Sequence, residues 1–128
     1  MEMPLNMIIA QTIQFDRWCL ECGTTCRGRC HVVILRPESE FHPERVWQTV
    51  KGSTEQKGHD SHLATQIARR LIKHLKSQGV GVVVEILHSQ VGRQLHGSDP
   101  LPVMTMSLLG RMRTENELRK ECFRYVRG

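Results

Sequence analysis

The residues best suited to chemistry in this 128-residue chain are its cysteines, and four of the five lie close together, at positions 19, 22, 26 and 30. Cys19 and Cys22 are two residues apart, a spacing at which two thiolates can reach one metal ion. Cys26 and Cys30 follow closely and could complete a site. The alternative is a set of small buried thiols without a metal. The odd total argues against a disulfide framework.

An imidazole stands where a buried strand is expected to end. Residues 62–88 read HLATQIARRLIKHLKSQGVGVVVEILH, in which apolar residues recur at helical spacing before a β-branched run that leads to His88. This pattern predicts an amphipathic helix and then a strand buried on one face. Near neutral pH His88 could transfer a proton, or it could be structural. His31, His88 and His96 are the histidines that could join the cysteines at a metal.

The elements that must position these residues are expected in the order ββααββα. Alternating or apolar runs predict four strands, at Met7–Phe15, His31–Leu35, Val80–Leu87 and Val103–Leu109. Helical spacing predicts three helices, at Pro43–Val50, residues 63–75 and Glu115–Val126. A cysteine-bearing loop at Asp16–Arg29 and a polar linker at Lys51–Gly58 are expected between them. The chain then forms one domain, 1–128, of the α+β class.

Composition limits the partners and the compartment. The formal net charge is +5 and the sequence pI is about 9.2, which favours anionic partners such as nucleotides or nucleic acid. No stretch approaches the ~20 apolar residues that span a bilayer, and the first residues lack the pattern of a signal peptide. We therefore expect a cytoplasmic protein with no membrane partner.

Several strings in the sequence resemble one enzyme family. IIAQTIQFDRWC, which ends at Cys19, and GRCHVVILRP are similar to two strands of GTP cyclohydrolase I, the first of which leads to a zinc cysteine. LATQIARRLIKHL with GVGVVVEILH resembles its long helix and buried strand, and SLLGRMRTENELRKECFRYV resembles its closing turn and helix. The resemblance covers residues 8–37 and 60–127, and 38–59 matches loosely. The chain looks like a divergent, N-terminally short member.

GTP cyclohydrolase I is the zinc enzyme that opens the purine of GTP in pterin and folate synthesis. The resemblance implies its tunnelling fold, or T-fold, in which a four-stranded antiparallel sheet carries two helices on one face plus a C-terminal helix. It also implies a homo-oligomeric ring, a Zn²⁺ cofactor, and a purine nucleotide or pterin as ligand.

The resemblance assigns metal and catalytic roles near the cysteines and the strand end. The implied metal ligands are Cys19 and Cys22, the second replacing a family histidine, while Gln90 stands at the position of the family's third ligand. Thiolate binds zinc at least as readily as imidazole does. The implied acid–base residues are His88 and Glu21, the latter also replacing a histidine. A glutamate can act as a general base if burial or a neighbour raises its pKa.

Five further positions match or adjoin the family's substrate-binding residues. Asp60 and Ser61 stand where the family has a Gln-Glu pair that reads guanine, although near a helix start they could instead cap the helix. Arg45 matches a phosphate-binding lysine. Gln94 matches a triphosphate-binding arginine, and Arg93 lies beside it. Positive charge at these positions suits an anionic ligand.

Three functions remain open on the sequence. The first is a GTP cyclohydrolase I-like hydrolase, with a metal held by Cys19 and Cys22 and with His88 as its acid–base residue. The second is an inactive T-fold protein that binds a purine or pterin, or serves as a structural or regulatory ring subunit. The third is a zinc protein with a cysteine loop that binds nucleic acid, which only the charge and the cysteines favour.

Overall fold

The structure, a computed structural model, describes residues 8–19, 22–37, 40–56, 60–88 and 101–127. Its strands are β1 (Ile8–Cys19), β2 (Thr24–Leu35), β3 (Gly79–His88) and β4 (Leu101–Gly110). Its helices are α1 (Pro43–Glu55), α2 (Leu63–Leu75), α3 (Arg111–Thr114) and α4 (Asn116–Arg127), with a 3₁₀ turn (Asp60–His62) before α2. None of the helices in these ranges is long and apolar enough to cross a membrane. The predicted order ββααββα is confirmed, with α3 as an added turn, and Met7 lies outside the described residues.

The four strands form one antiparallel sheet in the order β1-β2-β3-β4. α1 and α2 pack on one face, where Ile67 and Val82 belong to the larger core. α4 covers part of the other face, where Cys122 packs with Val33 in a smaller core. Because helices cover both faces of β3, the whole run 79–84 is buried.

β1 and β2 are longer than the sequence indicated. A loop is expected over Asp16–Arg29, but antiparallel pairing continues through this segment until Cys19 lies opposite Thr24. Burial alternates along β1, so that Phe15, Arg17 and Cys19 are buried while the residues between them are exposed. The loop prediction is therefore wrong, because this alternation places one side of each strand on the core.

α1 extends beyond its predicted end at Val50. The first five residues of the expected linker Lys51–Gly58 are helical. Ser53 and Thr54 are buried, and their hydroxyls donate to backbone carbonyls within the same helix. These polar residues therefore find hydrogen-bond partners within the helix. A segment whose composition is typical of a linker forms the last turns of α1 instead.

α2 begins without the expected cap. Its N-cap residue is His62, which makes no side-chain cap hydrogen bond, so capping by Asp60 or Ser61 is wrong. Both lie one turn earlier, in the 3₁₀ turn. The Asp60 carboxylate instead contacts side chains of β1 and β3. Long-range contacts decide its position here, rather than the local needs of the helix.

Candidate metal centre

Three cysteines and one histidine meet at one end of the sheet. Cys19 ends β1, Cys22 lies in the following turn, Cys26 lies near the start of β2, and His88 ends β3. Their candidate ligand atoms, three sulfurs and one imidazole nitrogen, all lie within 4.8 Å of one another. These four residues are called the Cys3His centre below. It could hold a metal ion.

Strand alternation explains why these side chains meet. Arg17 pairs with Cys26 across β1 and β2, so both side chains point to the same face, and Cys19 follows Arg17 by two residues. On β3, His88 follows the buried Ile86 by two residues and therefore shares its face. That face is the one covered by α1 and α2. The end of the sheet thus gathers donors from three neighbouring elements.

The turn between β1 and β2 brings Cys22 over Cys19. Gly23 has φ 65°, a left-handed conformation that glycine adopts without strain. Its amide donates to the Cys19 carbonyl at 2.9 Å. The amide of Cys22 donates to Cys19 Sγ at 3.4 Å, which holds this sulfur beside the turn. The two-residue spacing therefore turns both thiols towards one point.

The distances within the centre suit a tetrahedral ion. Zinc bonds of ~2.3 Å to sulfur and ~2.0 Å to nitrogen, at tetrahedral angles, place a sulfur and a nitrogen ligand about 3.5 Å apart. Nδ1 of His88 lies 3.3 Å from Cys19 Sγ and 3.7 Å from Cys22 Sγ. Three thiolates and an imidazole are a common zinc ligand set, and soft thiolate donors disfavour Mg²⁺ and Ca²⁺. The donor set therefore fits zinc.

Electrostatics in the centre also favour a cation. Burial, and then the neighbouring thiols of Cys22 and Cys19, raise the pKa of Cys26 from its ordinary value of 9.0 to about 12. Burial and the neighbouring thiols therefore oppose ionisation of Cys26, and a bound cation would favour it. Cys19, Cys22 and Cys26 would release their thiol protons on binding a divalent ion, whose positive charge would offset that of the thiolates.

A partly buried ion pair lies behind His88. Asp60 Oδ2 is 3.4 Å from His88 Nε2, and Asp60 Oδ1 accepts a hydrogen bond from Arg17 Nε at 2.9 Å. Nη1 of Arg17 also donates to the Thr54 carbonyl at 2.9 Å, which ties the end of α1 to this network. Arg17 is only 8% exposed. The two ring nitrogens of His88 therefore face different partners: thiols at Nδ1 and a carboxylate at Nε2.

These groups could perform two kinds of chemistry. Cys19, His88 and Asp60 place a thiol, an imidazole and a carboxylate in sequence, the arrangement that activates nucleophilic cysteines in enzymes. Cys22 and Cys26, however, lie within the same 4.8 Å, and a lone nucleophile needs neither of them. Metal binding is the use that accounts for all four residues.

Two other predicted ligands lie elsewhere. Cys30 is fully buried on the same face of β2, and burial raises its pKa to about 12. Four residues of strand separate it from Cys26 by about 13 Å. His31 points to the opposite face, where its Nε2 contacts Glu85 at 3.1 Å and its Nδ1 contacts Thr12 at 3.0 Å. The structure therefore brings neither residue into the centre.

The remaining predicted residues are divided between the surface and undescribed segments. The predicted site residues that lie outside the described ranges are Glu21, Gln90, Arg93, Gln94 and His96. Ser61 is exposed beside Asp60. Arg45 lies near the start of α1, nine residues or about 13 Å along the helix axis from Thr54. There it lines a groove of about 600 Å³ between α1 and α2, together with Arg70 and His74.

Sequence reasoning presents Cys26 as one of several candidates and gives no role to Arg17. A signal for Arg17 is present in the alternation of β1. Extended past Phe15, it places Arg17 and Cys19 on the buried face. A charged residue at a core position indicates a buried partner. The sequence alone does not name that partner, because Asp60 is 43 residues away.

The sequence is similar to one enzyme of known function. No protein-family model matches the chain. GTP cyclohydrolase 1 of Campylobacter lari is 25% identical over 121 residues, which cover 94% of this chain and 64% of that enzyme. The chain therefore spans just under two thirds of the length of the curated relative that it matches.

Comparison with solved structures concerns the fold. The apo form of an archaeosine synthase, QueF-Like, matches with a TM-score of 0.65 and 13% identity, covering 85% of this chain and 97% of that one. A dihydroneopterin aldolase from Burkholderia thailendensis, bound to guanine, matches with a TM-score of 0.54 and 15% identity, covering 82% and 94%. At these identities the likeness shows the architecture alone, and the predicted architecture is confirmed.

Proposed function

We propose that this chain, which resembles GTP cyclohydrolase 1 in sequence and proteins of the tunnelling fold in architecture, binds a purine nucleotide or a pterin next to a zinc ion. The observation that carries the proposal is the Cys3His centre at the end of the sheet. Its donors come from β1, the following turn, β2 and β3, so an ion there fastens the tip of the first hairpin to the centre of the sheet. In this proposal Cys19, Cys22, Cys26 and His88 are the zinc ligands.

A purine or pterin is the ligand that the relatives favour. The curated relative is a GTP cyclohydrolase, and one structure of similar fold holds guanine. The net charge of +5 favours a phosphorylated form. We propose Arg45 as the phosphate contact among the described residues, since it lies in a basic groove with Arg70. Ser61, Arg93 and Gln94 complete the proposed set of ligand-binding residues.

We also propose that several copies of the chain form a ring. Strands β1 and β4 lie at the two edges of the described sheet, where each has a neighbour on one side only. Met104 and Met106 on β4 are 53% and 49% exposed. Exposed apolar side chains beside an open strand edge favour pairing with another chain. A second copy would cover this edge, and a ligand could then lie between subunits.

Hydrolysis of GTP is the second candidate, favoured by the similarity to GTP cyclohydrolase 1 over nearly the whole chain. In that version His88 and Glu21 would be the acid–base residues. Catalytic zinc sites have three protein ligands and keep one position open for water, whereas structural sites have four. The Cys3His centre offers four protein donors. We therefore place binding before hydrolysis.

One experiment separates these functions. Purified protein, with and without added Zn²⁺, is mixed with GTP or with neopterin, and binding is measured by calorimetry while fluorescence detects any dihydroneopterin product. The expected result is zinc-dependent binding of one of the two compounds without turnover. A fluorescent product would establish the second candidate instead. Failure of both compounds to bind, together with tight binding of RNA or DNA, would contradict the proposal and favour the nucleic-acid alternative.

A further inference from the structure

The Arg17–Asp60 pair is partly buried, although ion pairs gain little from burial alone. The Arg17 side chain is 7% exposed and that of Asp60 is 27% exposed. Removing charges from water costs free energy, so a buried pair of this kind needs several well-placed partners. Arg17 has the Asp60 carboxylate and the Thr54 carbonyl. Asp60 has one partner for each oxygen, Arg17 at Oδ1 and His88 at Oδ2. The carboxylate is thereby held in one orientation.

This orientation favours one tautomer of the neutral His88 ring. A carboxylate accepts hydrogen bonds and cannot donate, so it favours the ring tautomer in which the nitrogen that faces it bears the proton. That nitrogen is Nε2, 3.4 Å from Asp60 Oδ2. The lone pair of a neutral ring then lies on Nδ1, which faces Cys19 and Cys22 at 3.3 and 3.7 Å. Metal-binding histidines commonly donate their other N–H to a carboxylate in this way.

We propose that Asp60, oriented by Arg17, is a positioning residue that prepares Nδ1 of His88 to bind the metal. The inference rests on the proposed zinc centre and gives Asp60 a role other than reading a purine base. It also couples the centre to the helices, because Arg17 holds the last turn of α1 and Asp60 lies just before α2. Asp60 itself contacts no thiol of the centre in the described contacts.

The test measures zinc affinity by competition with a chelator, using the full chain carrying Asp60→Asn. Carboxylates behind metal-bound histidines typically contribute 10–100-fold to metal affinity, so a weakening of about that size is expected. The Co²⁺-substituted protein should keep its thiolate charge-transfer bands, because the ligands are unchanged. Asp60→Glu retains a carboxylate and should recover most of the affinity. Glu55→Gln, which removes an exposed carboxylate at the end of α1, should leave the affinity unchanged.

A second readout follows the His88 ring by ¹⁵N NMR. The expected spectrum shows a proton on Nε2 before metal is added and Nδ1 bound afterwards, and Asp60→Asn shifts the metal-free ring towards the other tautomer. Unchanged zinc affinity in Asp60→Asn, or a metal bound through Nε2, would overturn the inference. Failure of the zinc centre itself has a different signature, in which wild type and Cys26→Ser both bind no zinc.

Discussion

Replacing Cys26 by serine separates the metal centre from the rest of the core, because the same strand provides a matched control. Cys26 and Cys30 are 2% and 0% exposed, and both face α1 and α2. Only Cys26 belongs to the Cys3His centre. Serine is close to cysteine in size and is a poor zinc ligand, so each change replaces a thiol by a hydroxyl at a buried site. The two variants therefore differ mainly in their distance from the centre.

The expected effects differ in kind. At Cys30, a hydroxyl buried without a partner costs about 1–3 kcal/mol of unfolding free energy and leaves zinc binding intact. At Cys26 a ligand is also lost. A ligand that binds the folded state stabilises it by RT ln(1 + [L]/Kd), so hundredfold weaker zinc binding removes about 2.7 kcal/mol of stability when zinc is in large excess. This additional loss should vanish when a chelator removes zinc from both proteins.

The assay is denaturant unfolding under reducing conditions, in excess zinc and in excess chelator, with zinc content measured by mass spectrometry. In zinc, Cys26→Ser should be the less stable variant and should lose zinc on dilution. In chelator, the two variants should differ little. In zinc, Cys30→Ser should bind as much zinc as the wild-type protein does.

Two results would refute this reasoning. If Cys26→Ser retains wild-type zinc content and the same zinc-dependent stabilisation, Cys26 is not a ligand. If Cys30→Ser is the variant that loses zinc, the strand geometry that separates Cys30 from Cys26 by about 13 Å is wrong.

Three further predictions follow from the described contacts. Burial raises the pKa of Cys30 to about 12 and of Cys122 to about 11, so the folded state holds these protons more tightly than the unfolded state. Their contribution to the free energy of unfolding is complete below about pH 9 and falls above it, by about 1.4 kcal/mol per thiol at about pH 10. Urea unfolding should therefore show a smaller loss of stability at alkaline pH in a Cys30→Ala/Cys122→Ala variant. A Cβ at Gly81 would overlap Cys122 Sγ, so Gly81→Ala should cost about 1–3 kcal/mol in the same assay, and Cys122→Ala should restore part of it; equal costs in both backgrounds would count against this contact. Arg45→Ala should weaken GTP binding in calorimetry about tenfold or more, as expected for a lost charge-assisted hydrogen bond, whereas the exposed Arg69→Ala should not; equal effects would indicate a general charge effect.

Much of the fold can be predicted from the sequence because its signals are local. The four-residue recurrence of Leu63, Ile67 and Leu71 and the run 79–84 fix a helix and a buried strand. The same principle fails at the first hairpin, where charged residues interrupt the pattern. Arg17 occupies a position that an apolar residue would otherwise fill, so its segment resembles a loop. The buried partners of such a residue, rather than its own type, make the strand possible.

The candidate site is less predictable, because its geometry depends on contacts between distant elements. The spacing of Cys19 and Cys22 indicates a metal, but the choice among Cys26, Cys30 and the histidines requires knowing which face each occupies. Asp60 near a helix start has the sequence signature of a cap. Its contacts with Arg17 and His88 span 43 and 28 residues and are invisible to any local pattern.

The position of His88 restricts the activities that the chain can have. In the resemblance to GTP cyclohydrolase I, the corresponding histidine transfers protons, which requires a ring nitrogen that can reach the substrate. Here Nδ1 faces the thiols and Nε2 faces Asp60. A ring that donates its lone pair to a metal at one nitrogen and its proton to a carboxylate at the other has neither nitrogen left for a substrate. Gln90 stands at the position of the family's third zinc ligand, and Cys26 and His88 could bind zinc in its place. In that arrangement His88 would no longer be able to transfer protons. If zinc binds through all four residues, acid–base chemistry on a bound purine would have to come from a group other than His88.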